Sequence, residues 1–233
     1  MNLYYSPGIT EPFTDLPDEE AHHAFSVMRS RIGDRIGLLD GRGSRAEAEI
    51  VELDRKRGSV KILHREVLPA ERRWKIHMAV ALTKNIDRFE WFLEKAVEIG
   101  VDRITPLITD RSERTKFRVD RGLKVMIAAM KQSRRVWLPI LDQPKQLKEI
   151  IAATGPPLRF FGWCEGEHEA LMQAYTGSAD AIFVIGPEGD LSMDEADRLK
   201  QQGFRPVSIG SARLRTETAA IAACTWMSLF QQR

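Results

Sequence analysis

Two glycine-containing segments carry the side chains best suited to chemistry in this chain of 233 residues. The first, Ile185-Gly-Pro-Glu-Gly-Asp190, follows the apolar run Ala181–Ile185, which is typical of a buried strand. Its two glycines would let a ligand approach the backbone closely. Glu188 and Asp190 would repel a phosphate and favour a cation such as a sulfonium. A plain turn leading into the next helix, capped by Asp190 or Ser192, is the structural alternative.

The second segment, Ile209-Gly-Ser-Ala-Arg-Leu-Arg-Thr-Glu217, places two arginines and an acid at alternate positions. Arg213 and Arg215 would lie at the mouth of a sheet, where guanidinium groups suit a negatively charged substrate or a developing anion. Thr216 is expected to be the N-cap of the last helix. A helix cap followed by the early acid Glu217 is the structural alternative.

Strands and helices alternate from Trp74 onward, around these two segments. Strands are predicted at Ile76–Leu82, Ile104–Ile108, Leu158–Gly162, Ala181–Ile185 and Pro206–Ile209, and helices at Ile86–Ile99, Gly122–Val136, Lys145–Ala153, Met193–Gln202 and Thr218–Phe230. This alternation predicts the α/β class, with a mainly parallel sheet covered by helices on both faces. Ligands of such sheets bind beyond the carboxyl ends of the strands, where both glycine segments are expected to lie.

The first seventy residues have a different pattern, with short strands separated by glycine turns. Strands are predicted at Leu3–Tyr5, Arg35–Leu39, Ala46–Leu53 and Ser59–Glu66, and Pro17 with the acids after it opens a helix. Several short strands with glycine turns favour a small β-barrel. The polar junction at Pro69–Arg73 is a plausible linker, so we predict two domains, residues 1–70 and 74–233.

The net charge of +2 is nearly neutral, but basic residues recur in clusters. Several basic clusters on one face would suit a polyanionic partner, although a solvated surface explains any single cluster. The candidate RNA-binding residues are Arg29, Arg31, Arg111, Arg114, Lys131 and Arg134.

Other patterns exclude several classes of protein. The two cysteines, Cys164 and Cys224, form no CxxC pair, so we expect no disulfide framework and no metal site. The first residues lack the pattern of a signal peptide, and no apolar stretch is long enough to cross a membrane, so a cytoplasmic protein is expected. A nucleotide-dependent oxidoreductase should have a GxGxxG fingerprint after its first strand, and Leu82–Asp87 lacks it.

The pair of segments Ile185–Ser192 and Ile209–Ala219 resembles the SPOUT-class family that methylates N3 of a uridine in 16S ribosomal RNA, the RsmE type. Further similarity lies in Lys95–Val101 and Lys131–Arg135, and it covers nearly the whole chain. One residue departs from the pattern: Asp190 stands where the family usually has a second glycine after Glu-Gly.

The resemblance implies a C-terminal domain threaded into a trefoil knot, preceded by a small PUA-like β-barrel that holds RNA. It implies that S-adenosylmethionine lies between the two segments, held largely by backbone groups, and that the enzyme is a homodimer acting on the small ribosomal subunit. The residues expected to contact the cofactor are Ile185, Gly186, Pro187, Glu188, Gly189, Ile209, Gly210, Ala212, Leu214 and Thr216.

The implied reaction requires uridine N3 to lose its proton before it can accept a methyl group. Arg213 or Arg215 could stabilise the uridine anion, and Glu188 or Glu217 could take the proton. Two alternatives remain open. One is a non-catalytic RNA-binding module with a decayed cofactor pocket, and the other is a related knotted enzyme that methylates a ribose 2′-oxygen.

Overall fold

The computed structural model describes residues 1–231, which group into two compact units. The first unit contains Met1–Glu71 together with Ile127–Leu138, and the second contains Arg72–Met126 together with the chain from Pro139 onward. The two-domain division at residues 70–74 stays a prediction. The structure adds that a later segment, Ile127–Leu138, groups with the N-terminal residues, which no local sequence pattern indicates.

The first unit is built on a five-stranded sheet, as the short strands and glycine turns predict. Its strands are β1 (Leu3–Tyr5), β2 (Phe13–Asp15), β3 (Arg35–Leu39), β4 (Ser44–Leu53) and β5 (Gly58–Val67), in the order β1-β3-β4-β5-β2. Only the β1–β3 pair is parallel among the described strands of this sheet. Helix α1 (Asp18–His22) continues as a π-helical turn, His23–Val27. Strand β2 was not predicted.

The second unit contains a wholly parallel sheet, which confirms the predicted architecture. Its strands are β6 (Ile76–Ala81), β7 (Arg103–Ile108), β8 (Ile140–Leu141), β9 (Lys145–Gln146), β10 (Leu158–Gly162), β11 (Ala181–Ile185) and β12 (Arg205–Val207). They lie in the order β12-β10-β11-β6-β7-β8, and β9 also pairs with β7. Every residue of β11 is buried, as expected for a strand covered on both faces.

The helices that follow β6 are α2 (Ile86–Ile99), α3 (Val119–Ser133), α4 (Leu147–Ala152), α5 (Leu171–Ala174), α6 (Met193–Gln201) and α7 (Thr216–Phe230). Some of them have clear start or stop signals. Helix α2 ends at Gly100, whose φ of 93° is favourable only for glycine, and α6 begins with a capping box of Ser192 and Glu195. Helix α7 packs against α2, β6 and β11, so the chain returns from the edge strand β12 to the middle of the sheet. The threading of this return through a trefoil knot stays a prediction.

A polar cluster containing a titratable histidine lies near the amino-terminal ends of the parallel strands. The Nε2 atom of His77 lies 2.7 Å from Oγ1 of Thr105, and the Thr105 hydroxyl donates to Asp142. The Arg103 guanidinium donates two hydrogen bonds to the same carboxylate, both at 2.8 Å. Burial lowers the pKa of His77 to about 4, and the charge of Arg103 adds to the decrease. His77 is therefore neutral at pH 7.

The lowered pKa of His77 predicts that the protein loses stability in mild acid. The unfolded chain binds this proton below pH 6.5 and the folded chain only near pH 4, so unfolding is favoured as the pH falls between these values. We expect this group to remove at most about 3 kcal/mol of unfolding free energy over that interval. Urea unfolding of the wild type and His77→Gln at several pH values measures the effect. Equal pH dependence of the two proteins would contradict it.

Candidate functional site

Three loops follow three neighbouring strands of the parallel sheet and meet at its carboxyl edge. We call them the β10 loop (residues 163–170), the β11 loop (186–192) and the β12 loop (208–215). The sequence predicts the second and third of these as ligand loops. It missed the β10 loop, because only the strand order β12-β10-β11 places β10 between the other two. No residue pattern in the β10 loop itself points to this position.

Packing at the strand ends shows that the two predicted segments come together. A Cβ atom added at Gly162, the last residue of β10, would lie 3.3 Å from Cδ1 of both Ile185 and Ile209. Because residue 162 has no side chain, the side chains of Ile185 and Ile209 can both pack against the end of β10. The hydroxyl of Thr216 donates to the carbonyl of Gly186 at 3.1 Å. The start of α7 is thus bonded directly to the β11 loop.

The β11 loop folds tightly against itself. Ile185, Gly186 and Pro187 are buried, whereas Glu188 and Gly189 are exposed. A Cβ atom at position 186 would lie only 3.0 Å from the backbone nitrogen of Leu191, so a larger residue would collide with the main chain of the loop. The loop therefore has a defined shape that depends on glycine at its start.

The loops after β6 and β7 also hold the β11 loop. The Arg111 guanidinium donates to the carbonyls of Gly189 at 2.8 Å and Leu191 at 3.3 Å. The backbone N–H of Lys84 donates to Oε1 of Glu188 at 3.0 Å. These bonds make Arg111 and Glu188 part of the framework of the loop, and the catalytic role of Glu188 stays a prediction.

Arg114 also donates to a backbone carbonyl, in the loop after β6. Its guanidinium lies 3.2 and 3.3 Å from the carbonyl oxygen of Lys84. The RNA-binding roles of Arg111 and Arg114 stay predictions, but both guanidinium groups already have partners in the protein. Their spacing in the sequence gave no sign of this, because the acceptors are main-chain oxygens of distant loops.

The β12 loop presents the groups that are free to meet a ligand. Gly210, Ala212, Arg213 and Arg215 are exposed, and Leu214 is half-buried. A Cβ atom at Gly210 would lie farther than 4 Å from any atom of the described chain. Within residues 1–231, the side chains of Arg213 and Arg215 form neither a hydrogen bond nor an ion pair. Their charges are therefore available to a substrate.

The electrostatics of Cys164 indicate that all three loops share one environment. Burial raises the pKa of the Cys164 thiol, the carboxylate of Asp190 adds to the increase, and the Arg213 charge opposes it. These three residues belong to the β10, β11 and β12 loops respectively. The β10 loop therefore lies near both predicted ligand loops, and it is bonded to the β11 loop through the Cys164 N–H and Asp190.

Thr216 was expected to be the N-cap of α7, and this expectation was wrong. Arg215 occupies the cap position with extended backbone and no side-chain cap bond, and Thr216 is the first helical residue. The Thr216 hydroxyl donates to Gly186 of the β11 loop instead of accepting from its own helix. A contact between distant segments has replaced the local capping bond.

Glu217 is a buried carboxylate next to this junction. Its Oε1 atom lies 3.9 Å from Nε of Arg88 on α2, and its side chain is 9% exposed. Its Oε2 atom is buried and has no hydrogen-bond partner among the described residues. A buried carboxylate oxygen without a donor is costly, so this atom is suited to accept a hydrogen bond from a ligand. Arg88 was not predicted, because it carries no local signal beyond its place on an amphipathic helix.

The remaining RNA-binding candidates belong to the first unit and differ in their environment. Arg29, Arg31 and Arg134 are exposed. Lys131 instead lies 2.6 Å from Oε1 of Glu20, and the two side chains are only 20% and 10% exposed. The structure therefore gives Lys131 a role in stability, and its contact with RNA stays a prediction.

Removal of Lys131 is expected to destabilise the protein, because Glu20 would remain as an unpaired, buried charge. We expect Lys131→Ala to lower the unfolding free energy by about 3 kcal/mol, and Arg134→Ala on the exposed surface to change it by less than about 0.5 kcal/mol. Urea unfolding of both variants and the wild type measures the difference. Equal stability of the two variants would show that the ion pair contributes little.

Clustered metal ligands and long apolar helices are both absent from the part of the chain that the structure describes. Within residues 1–231, no group of three or more His, Cys, Asp and Glu side chains is arranged to hold a metal ion. The same residues contain no helix that is both long and apolar enough to span a membrane.

Comparison with known families and proteins gives consistent matches over the whole chain. Residues 70–228 match the model of an RNA methyltransferase domain, and residues 16–63 match that of an RNA methyltransferase PUA domain. The chain is 31% identical over 218 residues to ribosomal RNA small subunit methyltransferase E of Mycobacterium bovis. This alignment covers 88% of this chain and 82% of that protein.

Solved structures show the same similarity at the level of the fold. A probable rRNA-methyltransferase from Porphyromonas gingivalis matches with a TM-score of 0.91 and 37% identity, covering 100% of this chain and 99% of that one. Ribosomal RNA small subunit methyltransferase E from Neisseria gonorrhoeae, solved with bound S-adenosyl methionine, matches with a TM-score of 0.88 and 28% identity, covering 98% of this chain and 97% of that one.

Proposed function

This chain belongs to the family of RNA methyltransferases represented by ribosomal RNA small subunit methyltransferase E, and on that basis we propose that it transfers a methyl group from S-adenosylmethionine to N3 of a uridine in 16S ribosomal RNA. The observation that carries the proposal is the junction of the β11 and β12 loops. There the buried end of a parallel strand, an open glycine and the exposed arginines Arg213 and Arg215 lie at one edge of the sheet.

The residues at this junction fit S-adenosylmethionine. The β11 loop carries two acids, Glu188 and Asp190, whose charges suit a sulfonium and would oppose a phosphate. Gly210 offers its backbone without a side chain, and the space beside it is open. When bound, the cofactor supplies an electrophilic methyl group. The chain has to hold it by the β11 and β12 loops and present that methyl to the uracil ring.

Arg213 and Arg215 of the β12 loop and Glu217 of α7 act on the uridine in this proposal. N3 carries a weakly acidic proton, so attack by this nitrogen requires a base or a cation that stabilises the uracil anion. Arg213 and Arg215 supply exposed positive charge. Glu217 has an unsatisfied carboxylate oxygen at the start of α7, and Glu188 is the other candidate for accepting the proton.

The first unit supports RNA binding by its own surface. The exposed arginines Arg29 and Arg31 lie in a segment that also exposes Phe25, Met28 and Ile32, at 44%, 41% and 67%. Positive charge next to exposed aromatic and apolar groups suits an unstacked, single-stranded segment of RNA. Most of these contacts would position the backbone without reading its sequence.

We also propose that the protein acts in the cytoplasm as a homodimer, and helix α7 supports the homodimer. Its inner face is buried against the sheet, but its outer face still shows Ile221 and Ala222 half-buried and Leu229 exposed. A helix that is apolar on both sides favours a second covering surface. Sedimentation equilibrium tests this part, and a monomer at micromolar concentration would exclude a stable dimer.

A transfer assay tests the proposed function directly. Purified protein is incubated with labelled S-adenosylmethionine and small ribosomal subunits that lack the modification, and the RNA is digested to nucleosides. Label in 3-methyluridine supports the proposal. Label in a 2′-O-methylated nucleoside would identify the related ribose enzyme. Binding of RNA without binding of S-adenosylmethionine would identify a non-catalytic module.

A further inference from the structure

Asp190 has a backbone conformation that side chains rarely adopt. Its φ is 62°, in the left-handed region that glycine adopts most easily. An ordinary L-residue in this region costs about 1–2 kcal/mol, although aspartate tolerates it when its side chain forms a local hydrogen bond. The aspartate therefore needs a compensating contact that glycine could not make.

The carboxylate of Asp190 makes that contact across two loops. Its Oδ1 atom accepts the backbone N–H of Leu191 at 2.8 Å, within the β11 loop. Its Oδ2 atom accepts the backbone N–H of Cys164 at 3.2 Å, in the β10 loop. The second bond links residues that are 26 positions apart in the sequence. With glycine at position 190, both side-chain acceptors would be absent.

We propose that Asp190 is a positioning residue, which fixes the β10 loop against the β11 loop and so forms one wall of the cofactor site. The identity of the ligand rests on the proposed function, whereas the contact between the loops does not. A loop held in its binding conformation before the ligand arrives loses less entropy on binding. The two hydrogen bonds of the Asp190 carboxylate thus tie the β10 loop to the β11 loop before any ligand binds.

Affinity for S-adenosylmethionine tests the positioning role. Asp190→Gly permits the same backbone and removes both acceptors, so we expect about tenfold weaker binding, the value of one charge-assisted hydrogen bond. Asp190→Asn keeps one acceptor oxygen and tolerates the left-handed region, so its affinity should lie between those of the wild type and Asp190→Gly. Asp197→Asn on α6, which removes an exposed carboxylate paired with Lys200, is the matched control and should bind as the wild type does.

The thiol of Cys164 gives a second readout that needs neither the cofactor nor activity. Cys164 is exposed, whereas the other cysteine, Cys224, is buried and its pKa is raised to about 12 by burial. Release of the β10 loop in Asp190→Gly should expose Cys164 further. Loss of the Asp190 charge should also lower the pKa of the thiol, with Glu165 and Arg213 as the other charged groups nearby. Alkylation by iodoacetamide should therefore be faster in Asp190→Gly than in the wild type, and also faster than in Asp190→Asn, which lacks the same charge but keeps an acceptor for the Cys164 N–H.

The two readouts separate this inference from the proposed function. Faster alkylation with about tenfold weaker cofactor binding in Asp190→Gly, and partial recovery in Asp190→Asn, would support the positioning role. Wild-type alkylation in Asp190→Gly would overturn it, and so would wild-type affinity despite faster alkylation. A wild-type protein that does not bind S-adenosylmethionine would contradict the proposed function, and the alkylation rates would still show whether Asp190 fixes the β10 loop.

Discussion

Gly186→Ala is expected to weaken binding of S-adenosylmethionine by at least about 100-fold and to lower the unfolding free energy by about 1–3 kcal/mol. The added methyl group would lie 3.0 Å from the backbone nitrogen of Leu191 and 3.3 Å from the carbonyl carbon of Asp190. Both are main-chain atoms of the same tight loop, so the loop backbone has to shift by a few tenths of an ångström to accept the methyl group. This shift would also disturb the bond from Thr216 to the Gly186 carbonyl. Isothermal titration and urea unfolding measure the two effects.

A second glycine of the same site provides the matched control. The space beside Gly210 is open, so Gly210→Ala should leave the unfolding free energy within about 0.5 kcal/mol of the wild type. Its affinity for S-adenosylmethionine should nevertheless fall, because the proposal places the cofactor against this backbone. Comparison of Gly186→Ala with Gly210→Ala therefore separates the effect of a distorted β11 loop from the effect of filling the space proposed for the cofactor. Gly186→Ala binding the cofactor with wild-type affinity would show that the β11 loop does not hold it.

Removal of the unpaired arginines is expected to slow methyl transfer without preventing cofactor binding. We expect Arg213→Ala or Arg215→Ala to lower the single-turnover rate by about 100-fold or more, as loss of a group that stabilises a developing anion does. The cofactor affinity should change by less than about twofold, because neither side chain is expected to hold the cofactor. Lysine at the same position keeps the charge and should recover part of the rate.

The pH dependence of the rate distinguishes an electrostatic role from simple loss of structure. A nearby guanidinium favours the deprotonated uracil, so without it a higher pH is needed to reach the same fraction of anion. The rate of the affected alanine variant should therefore keep rising at a pH where the wild type has levelled off. Arg118→Ala, which removes an exposed arginine paired with Asp120, should behave as the wild type. If neither Arg213→Ala nor Arg215→Ala slows the reaction, the proposed role of these arginines is wrong.

The sequence by itself predicted most of the longer elements of the chain and the two segments best suited to chemistry, but it missed β2, β8, β9 and α5. A run of apolar residues indicated β11, because this strand is buried on both faces. Apolar residues at helical spacing indicated α2, because only one side of this helix is buried. The alternation of strands and helices predicted the parallel sheet, and a parallel sheet indicates where its ligands bind. The residue order alone therefore assigns the segments Ile185–Asp190 and Ile209–Glu217 to one site.

Only the tertiary structure decided which other residues belong to that site. Strand order places the β10 loop between the two predicted loops, and no local pattern encodes the order of parallel strands. Arg111 and Lys131 look alike as members of basic clusters, yet one donates to the carbonyls of Gly189 and Leu191 and the other pairs with buried Glu20. The partners of a polar side chain come from segments distant in sequence, because folding satisfies buried donors and acceptors wherever the chain brings them together.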